Sequence, residues 1–329
     1  MEAITIQDRL HGAVTLDAPL LIDVYHSQAV QRLTGIYQAG ITAFINPVRN
    51  TTRLTHSLGV TALLQRLGAD VVEQVAGLIH DVPHTAFSHV IDFVFPNHEH
   101  DYHEQQREQV IASSDLPEIF ARHDLDWRFV AEAENFFLLE QPLPALCADR
   151  LDYFLRDAVT IGLVSTEQVT QLLGHLGVWN GRIVVDEAES ALCLGDLFLA
   201  TDDHIYTSVQ EVGWYAVMAE ALRAALEAGV IAEADLWQTD QLVLDRLRSA
   251  HLPAIDRWLS LLRPDVQFIR DDAHPDLVVL PKVRAIDPLV SQDDGTVRLC
   301  ELDPGFAARK AAHWVDKQGK WGLRIDMRP

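Results

Sequence analysis

The chain has 329 residues, of which 48% are hydrophobic and 22% are charged, a composition typical of a globular protein that buries a sizeable core. Its formal net charge is −22, from 26 basic and 48 acidic residues. This balance excludes a general nucleic-acid binder, because a phosphate backbone requires clustered lysine and arginine. A small polyanion can still bind where a metal and a few arginines create a local positive site.

The sequence also indicates the compartment. No apolar stretch is long enough to span a membrane, and the first eight residues lack the basic and apolar segments of a secretion signal. The three cysteines are scattered and have no CxxC spacing, which fits thiols that stay reduced. We therefore expect a cytoplasmic protein that does not contact a membrane.

The first two-thirds of the chain is predicted to be mainly helical. Apolar residues recur there at three- and four-residue spacing between glycine and proline breakers. The predicted helices cover residues 27–39, 54–68, 70–80, 104–113, 127–139, 145–161 and 166–176. A short β-hairpin is predicted at 177–187, where Asn180-Gly181 separates two β-prone runs.

The last third is predicted to change character along its length. Residues 212–236 and 240–262 have the pattern of two long helices, whereas β-prone runs after about residue 266 lie among proline and aspartate. We therefore predict a mainly α fold, a multi-helix bundle with a small mixed α/β C-terminal appendage. The expected division is a domain at 1–210, a helical extension at 211–265 and an α/β region at 266–329.

Histidine is concentrated in one part of the sequence. Seven of the fifteen histidines lie between residues 56 and 103, and His80-Asp81, His84 and His89 fall within ten positions. Imidazole nitrogen and carboxylate oxygen are ligands of divalent transition metals, which lower the pKa of bound water as phosphate-ester hydrolysis requires. The His-Asp dipeptide alone is not specific, because it recurs at 100–101 and 123–124.

Two other predicted helices carry polar residues on one face. Arg53 and His56 lie three positions apart near the start of one helix, and Asp149 and Asp152 share a face of another. The pattern suggests that one carboxylate joins His56 and the His80-Asp81 pair in a four-ligand metal site built from three helices.

Five segments, in chain order, carry a resemblance to a known family. They are residues 10–16 with His11-Gly12, 31–40 with Gln38-Ala39-Gly40, Thr52-Arg53 through Val60, His80-Asp81 through His89, and Asp149-Arg150 through Asp157. Together they resemble the HD phosphohydrolase superfamily, and within it the deoxynucleoside-triphosphate triphosphohydrolase branch that includes the SAM-and-HD-domain enzyme. The matches span residues 10–162, about half of the chain.

The resemblance implies an HD-domain bundle and a bound metal. The implied metal ligands are His56, His80, Asp81 and Asp149. A mixed set of nitrogen and oxygen ligands suits Fe, Mn, Zn, Co or Ni, and Mg²⁺ is a further ion for the substrate phosphates.

The resemblance also implies roles for residues around the metal. Its phosphate-contacting positions fall on Arg53, His84, Arg150 and Tyr153, and its sugar-reading positions fall on Gln38, Tyr153 and Asp157. Its catalytic histidine falls on His89, which Asp92 is placed to orient. A further catalytic His-Glu pair falls on His103-Glu104 or, less well, on His98-Glu99.

Several positions depart from the family pattern. Pro83 stands where glycine usually follows His-Asp-X, and proline removes an N–H from the loop before His84. The Asp-Pro dipeptide that usually precedes His11 is absent, and residues 46–52 lack the small and aromatic residues common there. These departures leave the implied metal site intact and bear on the substrate class.

The resemblance implies a metal-dependent phosphohydrolase of a small phosphorylated substrate, with dNTP hydrolysis to deoxynucleoside and triphosphate as the favoured reaction. The alternatives are a phosphomonoesterase of another nucleotide or metabolite, and a non-hydrolytic nucleotide sensor on the same scaffold. A homo-oligomer is expected. Arg32 and Arg156 are expected to form intramolecular pairs, Arg156 with Asp152 four residues earlier.

Overall fold

The computed structural model describes residues 2–95 and 102–327. Within these ranges the helices are α1 (Pro19–Tyr25), α2 (Gln28–Arg32), α3 (Thr42–Ile45), α4 (Arg53–Arg66), α5 (Val71–Ile79), α6 (Ile91–Val94), α7 (Tyr102–Ala112), α8 (Leu116–Arg122), α9 (Trp127–Ala131), α10 (Ala148–Thr160), α11 (Thr166–Gly174), α12 (Ala188–Thr201), α13 (Val209–Glu227), α14 (Asp240–Ser249), α15 (Pro253–Leu259), α16 (Leu299–Leu302) and α17 (Pro304–Lys317). None of these helices has the length and apolar character needed to cross a bilayer.

The strands of the described residues form three small sheets. They are β1 (Ile4–Asp8), β2 (Gly12–Leu16), β3 (Leu176–Trp179), β4 (Arg182–Val185), β5 (Gln267–Arg270), β6 (Leu277–Val279), β7 (Leu289–Gln292), β8 (Gly295–Arg298) and β9 (Trp321–Asp326). The sheet orders are β1-β2, β3-β4-β7-β8 and β5-β9-β6, with β4 and β7 parallel. The mainly α fold with a small α/β appendage is confirmed, and so is the hairpin of β3 and β4.

Three helices position the predicted functional residues. α4 begins after Thr52, whose side chain accepts a hydrogen bond from the backbone N–H of Thr55. α5 begins after Asp70, whose side chain accepts a hydrogen bond from the backbone N–H of Glu73. α10 begins after Cys147. Because α4 packs against both α5 and α10, residues from all three helices reach one site.

The predicted helix at 127–139 is wrong beyond Ala131, where α9 ends. The backbone N–H groups of Leu138 and Leu139 donate to the carboxylate of Glu73 at 2.9 and 3.2 Å. Their carbonyl groups accept hydrogen bonds from the first turn of α10. Residues 136–139 therefore form an irregular segment that bridges α5 and α10 and buries Phe136, Leu138 and Leu139, while Phe137 is exposed.

Other predicted helices are shorter than expected. The helix predicted at 27–39 is reduced to α2, and the one at 212–236 ends before Gly229, whose φ is +68°. The helix at 240–262 is divided before Pro253, because proline lacks the N–H that would continue the ladder. The hairpin of β1 and β2 and the helices α1, α8 and α12 have no counterpart among the predicted elements.

Buried apolar residues form two clusters. The first joins the elements around α4, α5, α10 and α12, and the second joins α3, α6, α13 to α15 and the sheet of β5, β6 and β9. The C-terminal segment contributes to both, with Leu299 and Phe306 in the first and Trp321 and Leu323 in the second. The appendage therefore packs against the helices of both clusters. The domain boundaries at 210 and 265 stay predictions.

Candidate metal centre and active site

The four predicted metal ligands lie together. His56 lies on α4, His80 and Asp81 follow α5, and Asp149 lies in the first turn of α10. Nε2 of His56 lies 2.9 Å from Oδ1 of Asp149 and 3.3 Å from Nε2 of His80. Oδ1 of Asp81 lies 3.5 Å from Nε2 of His80. We call these four residues the metal-ligand cluster.

Other groups hold the second ring nitrogen of each histidine. Nδ1 of His56 lies 2.7 Å from Oδ2 of Asp152, and Nδ1 of His80 lies 2.7 Å from the carbonyl oxygen of Gly77. Since a carbonyl only accepts, neutral His80 carries its proton on Nδ1 and presents a lone pair at Nε2. Ligand atoms about 2.1 Å from one metal lie about 3 Å apart, so the cluster fits a divalent cation, whose binding stays a prediction.

The charges of the metal-ligand cluster stabilise one another. Burial lowers the pKa of His56, but hydrogen bonds to Asp149 and Asp152 outweigh burial and raise this pKa to about 10. Burial disfavours the charged form of Asp81, but Arg53 and the neighbouring histidines hold its pKa well below the usual range. The carboxylates are therefore ionised at neutral pH and attract a cation.

Asp152 supports His56 from behind the metal-ligand cluster. It is fully buried and also accepts hydrogen bonds from Nε2 of His11 at 2.7 Å and from Arg156 at 2.8 and 3.0 Å. The expected pairing of Asp152 with Arg156 is thus present, and Arg156 also donates to Asp8. Sequence reasoning assigned no role to His11 or Asp8, although His11 lies in one of the matched segments.

Gly59 permits α4 and α10 to approach closely. A Cβ atom at this position would lie 2.0 Å from Oδ1 of Asp152 and 2.2 Å from Nη2 of Arg156. Both atoms belong to a buried ion pair, so neither can move aside without disturbing the support of His56. A side chain is therefore excluded at this point of α4.

Arg53, a predicted phosphate contact, lies against the metal-ligand cluster. Its Nη1 donates to both carboxylate oxygens of Asp81, at 2.9 and 3.0 Å, and its Nε donates to the hydroxyl of Ser88 at 3.0 Å. The side chain is buried but still lines the cavity. Arg53 therefore orients Asp81, and its contact with phosphate stays a prediction.

The predicted catalytic histidines form a second group, the histidine cluster of His84, His89 and His103. The rings of His84 and His103 stack at 3.9 Å, and His89 meets both edge-on at 5.0 and 5.4 Å. Nδ1 of His89 lies 2.9 Å from Oδ2 of Asp92, which is the expected orienting contact. Nδ1 of His84 and Nδ1 of His103 have no hydrogen-bond partner among the described residues.

The imidazoles of the histidine cluster are neutral at pH 7, because burial lowers the pKa of all three. Nε2 of His84 lies 3.2 Å from Oδ1 of Asp81 and connects the histidine cluster to the metal-ligand cluster. Nε2 of His103 lies 3.8 Å from Oε1 of Glu104. The alternative pair, His98-Glu99, lies outside the described residues.

Residues from other parts of the chain hold the loop that joins Asp81 to His89. Arg32 donates to the carbonyl oxygens on either side of Pro83, at 2.5 and 2.9 Å. Phe87 has a φ of +62°, and its N–H donates to the buried carboxylate of Asp240 at 2.7 Å. Arg32 is therefore an intramolecular contact, as expected, although it binds carbonyl oxygens rather than an acidic side chain.

Arg150, another predicted phosphate contact, braces the loop before α10. Its guanidinium donates to the carbonyl oxygens of Ala145 at 2.6 Å and Gln141 at 3.1 Å, and lies 3.5 Å from Oε1 of Glu140. Glu140 lines the cavity, and burial together with the charge of Asp149 raises its pKa to about 7. Sequence reasoning missed Glu140, because no motif or periodicity marks this irregular loop.

The predicted sugar contacts lie in the same cavity. Asp157 accepts hydrogen bonds from Arg49 at 3.3 Å and from the hydroxyl of Tyr206 at 2.8 Å. Tyr206 meets Tyr153 edge-on, with 5.6 Å between ring centroids. The side-chain oxygen of Gln38 is buried and has no hydrogen-bond partner among the described residues. Asp157 is therefore already engaged, whereas Gln38 offers a free acceptor.

One cavity of about 1360 Å³ connects these groups. Every predicted site residue lines it except His56, which is fully buried. The wall also contains Tyr206, Lys282 and Arg284, which sequence reasoning missed. All three lie outside the matched segments: Tyr206 follows α12, and Lys282 and Arg284 reach the cavity through the packing of the C-terminal region.

Comparisons with known proteins cover nearly the whole chain. Residues 53–157 match the HD domain family. The chain is similar to an uncharacterised protein, YdhJ, of Bacillus subtilis, with 40% identity over 97% of this chain and 98% of that protein. It is similar to the metal-dependent phosphohydrolase cns2 of Cordyceps militaris, with 35% identity over 87% of this chain and 84% of that protein.

More distant similarities exist as well. The deoxynucleoside triphosphate triphosphohydrolase SAMHD1 of Gallus gallus is 27% identical over 50% of this chain and 35% of that protein. Solved structures of a hypothetical protein from Aquifex aeolicus and a phosphohydrolase from Bacteroides thetaiotaomicron share the fold, with TM-scores of 0.70 and 0.67 and identities of 20% and 17%. They cover 98% and 99% of this chain and 96% and 100% of their own chains.

Proposed function

The chain belongs to the HD-domain family of metal-dependent phosphohydrolases, and from that premise we propose that its substrate is a nucleotide. The favoured reaction is hydrolysis of a dNTP to a deoxynucleoside and triphosphate. The observation that carries the proposal is the unpartnered oxygen of Gln38, which lies in the cavity that also reaches the metal-ligand cluster. A sugar hydroxyl is a suitable donor for that oxygen while the phosphates lie near the cluster.

The metal-ligand cluster is assigned to the metal, and the arginines beside it are assigned to the phosphates. When bound, a metal there would lower the pKa of water toward neutrality and so supply the hydroxide that a phosphate ester needs as nucleophile. Arg53 and Arg150 carry positive charge at the cavity wall, which offsets the charge of the phosphate oxygens as the ester bond breaks. Similarity to a dNTP triphosphohydrolase over half of the chain supports this assignment.

His89 is assigned to proton transfer to the leaving oxygen. Its Nδ1 is held by Asp92, which leaves Nε2 as the nitrogen that exchanges a proton with substrate. Burial lowers the pKa of free His89, although Asp92 opposes this effect. A bound phosphate adds negative charge near the ring and raises that pKa, so His89 gains its proton in the complex.

The test combines metal analysis with product identification. Purified protein is analysed for transition metals and then assayed against dNTPs, NTPs and nucleoside monophosphates. We expect a stoichiometric transition metal, and deoxynucleoside and triphosphate in equal amounts from dNTPs. Activity that survives complete removal of the metal by a chelator contradicts the proposal.

A phosphomonoesterase acting on a nucleotide or another phosphorylated metabolite is the second candidate. Asp157, assigned to the sugar, already accepts hydrogen bonds from Arg49 and Tyr206, so it is less available to a deoxyribose. The relative cns2 also carries the broader name of metal-dependent phosphohydrolase. Release of orthophosphate from monophosphates, without triphosphate from dNTPs, favours this candidate.

We also propose a cytoplasmic, self-associating protein. The three cysteines are free, which suits a reducing compartment. Self-association rests on the family resemblance, and light scattering of the purified protein tests it through the mass in solution.

A further inference from the structure

The C-terminal region brings basic side chains to the cavity of the proposed active site. Lys282 and Arg284 lie between β6 and β7 and line the cavity wall. The backbone N–H of Arg284 donates to the buried carboxylate of Asp202 at 3.2 Å, which fixes this part of the segment. The guanidinium of Arg284 lies over the ring of Tyr206, 5.4 Å from its centroid.

Arg284 differs in its partners from Arg49 and Arg53, two other arginines of the cavity wall. Arg49 pairs with Asp157 and Glu211, and Arg53 pairs with Asp81. Among the described residues Arg284 forms no ion pair with an acidic side chain, and its Nη1 donates to the carbonyl oxygen of Lys282 at 3.3 Å. In a chain with a net charge of −22, an arginine that lacks an acidic partner in the cavity is available to an anion.

The charge of Arg284 reaches the proposed reaction site. After burial and the effect of Asp92, Arg284 is among the cations that lower the pKa of His89. Burial raises the pKa of Tyr153, and Arg150 and Arg284 oppose that rise. Arg284 therefore lies within electrostatic range of two residues that are assigned to the leaving oxygen and the phosphates.

We propose that Arg284 binds an oxyanion of the substrate's phosphate chain and thereby favours substrates with more than one phosphate. The inference rests on the proposed function, because it assigns Arg284 to the same cavity. Arg53 is paired with Asp81 and Arg150 lies 3.5 Å from Glu140, so acidic neighbours partly offset the charge of both arginines, and a polyphosphate adds further negative charge to the cavity. Arg284 supplies a positive charge that these two do not.

The test measures binding of inorganic tripolyphosphate by calorimetry in the metal-loaded wild-type protein, Arg284→Gln and Arg284→Lys. A hydrogen bond to a charged group contributes enough that we expect about 10- to 100-fold weaker binding in Arg284→Gln and a partial recovery in Arg284→Lys. The matched control is Arg309→Gln, in the same region, whose guanidinium pairs with Asp196 on the surface. The control is expected to bind like wild type.

Kinetics and melting temperatures complete the experiment. In Arg284→Gln we expect KM to rise about 10-fold or more for a triphosphate. For a monophosphate we expect a rise of less than about 3-fold. Equal binding of tripolyphosphate by wild type and Arg284→Gln overturns the inference and leaves Arg284 as a packing partner of Tyr206. Absence of binding to wild type also overturns it. The proposed function is tested separately by wild-type turnover of nucleotides.

Discussion

The metal-ligand cluster and the histidine cluster adjoin the same cavity but use their imidazoles differently. In the first, the second nitrogens of His56 and His80 are fixed by Asp152 and a backbone carbonyl, and both Nε2 atoms point at shared carboxylates. In the second, Asp92 holds Nδ1 of His89, whereas Nδ1 of His84 and Nδ1 of His103 have no partner among the described residues.

This difference indicates the kind of ligand that each cluster suits. Imidazoles held at one nitrogen and directed at carboxylates are preorganised for a cation, which fills the same place in every cycle. Neutral imidazoles with free nitrogens can accept or donate to a substrate that comes and goes. If the two clusters have these separate roles, variants of the metal-ligand cluster lose metal and turnover together. Variants of the histidine cluster lose turnover and keep the metal.

The largest effect is expected from Asp81→Ala in the metal-ligand cluster. Loss of this carboxylate leaves Arg53 without its partner and removes one of the four ligand positions, so metal content and turnover should fall together. We expect turnover to drop by more than about 1000-fold, because a metal supplies several kcal/mol of transition-state stabilisation. Metal content is measured by mass spectrometry.

The matched control is Asp124→Asn, in a second His-Asp dipeptide outside the site. Asp124 has a φ of +56°, which asparagine also tolerates, so this variant should keep its metal and its activity. Full activity in Asp81→Ala would mean that the metal-ligand cluster is not the catalytic centre.

The next effect is expected from His89→Gln in the histidine cluster. Loss of proton transfer should lower kcat by about 100- to 10,000-fold while metal content stays unchanged. The control is His175→Gln, because Nδ1 of His175 also contacts an aspartate, at 2.8 Å, but on the surface. Loss of metal in His89→Gln would remove the division between the two clusters.

A smaller effect is expected from Asp152→Asn. An amide is a weaker acceptor than a carboxylate for the Nδ1–H of His56 and for the guanidinium of Arg156, so metal affinity should fall by about 10- to 100-fold. Competition with a chromogenic chelator measures the affinity, and Asp196→Asn on the surface is the control. Unchanged affinity would show that the support of His56 is not needed to hold the metal.

The smallest effect is expected from Asp240→Asn, which acts on the loop of the histidine cluster. Burial raises the pKa of Asp240 to about 7, although the N–H groups of Phe87 and Tyr37 oppose this. The folded protein therefore retains a proton that the unfolded chain releases near pH 4, so the free energy of unfolding decreases as pH rises from about 4 to 7.

Urea unfolding at pH 5 and pH 8 measures this pH dependence. Wild type should lose about 1 to 4 kcal/mol more than Asp240→Asn between the two values, because asparagine does not titrate. An identical loss in both proteins would show that Asp240 is ionised throughout this range.

The sequence predicts the parts of the fold where periodic pattern and capping agree. α4, α5 and α10 follow their apolar spacing, and the turn at Asn180-Gly181 specifies the hairpin of β3 and β4. The segment after Ala131 could not be predicted, since the backbone of Leu138 and Leu139 is fixed by hydrogen bonds to Glu73, which is distant in sequence, and to α10.

The same limit applies to the candidate site. Residues in matched segments, such as His80 and Asp149, are placed near one another in the structure, and their roles stay predictions. His11 and Arg284 could not be assigned, because His11 reaches Asp152 across 141 positions and Arg284 reaches the cavity through the packing of the C-terminal region. Such contacts depend on tertiary structure, and even the matched segment around His11 does not indicate its partner.

Gly59 has a consequence for engineering this protein. Replacing a helical glycine with alanine is a common route to greater thermal stability, worth about 1 kcal/mol in an open helix. In α4 that gain is unavailable, because the added methyl group would displace the ion pair behind His56. A thermostable variant must therefore keep glycine at the point where α4 lies against the Asp152–Arg156 ion pair of α10.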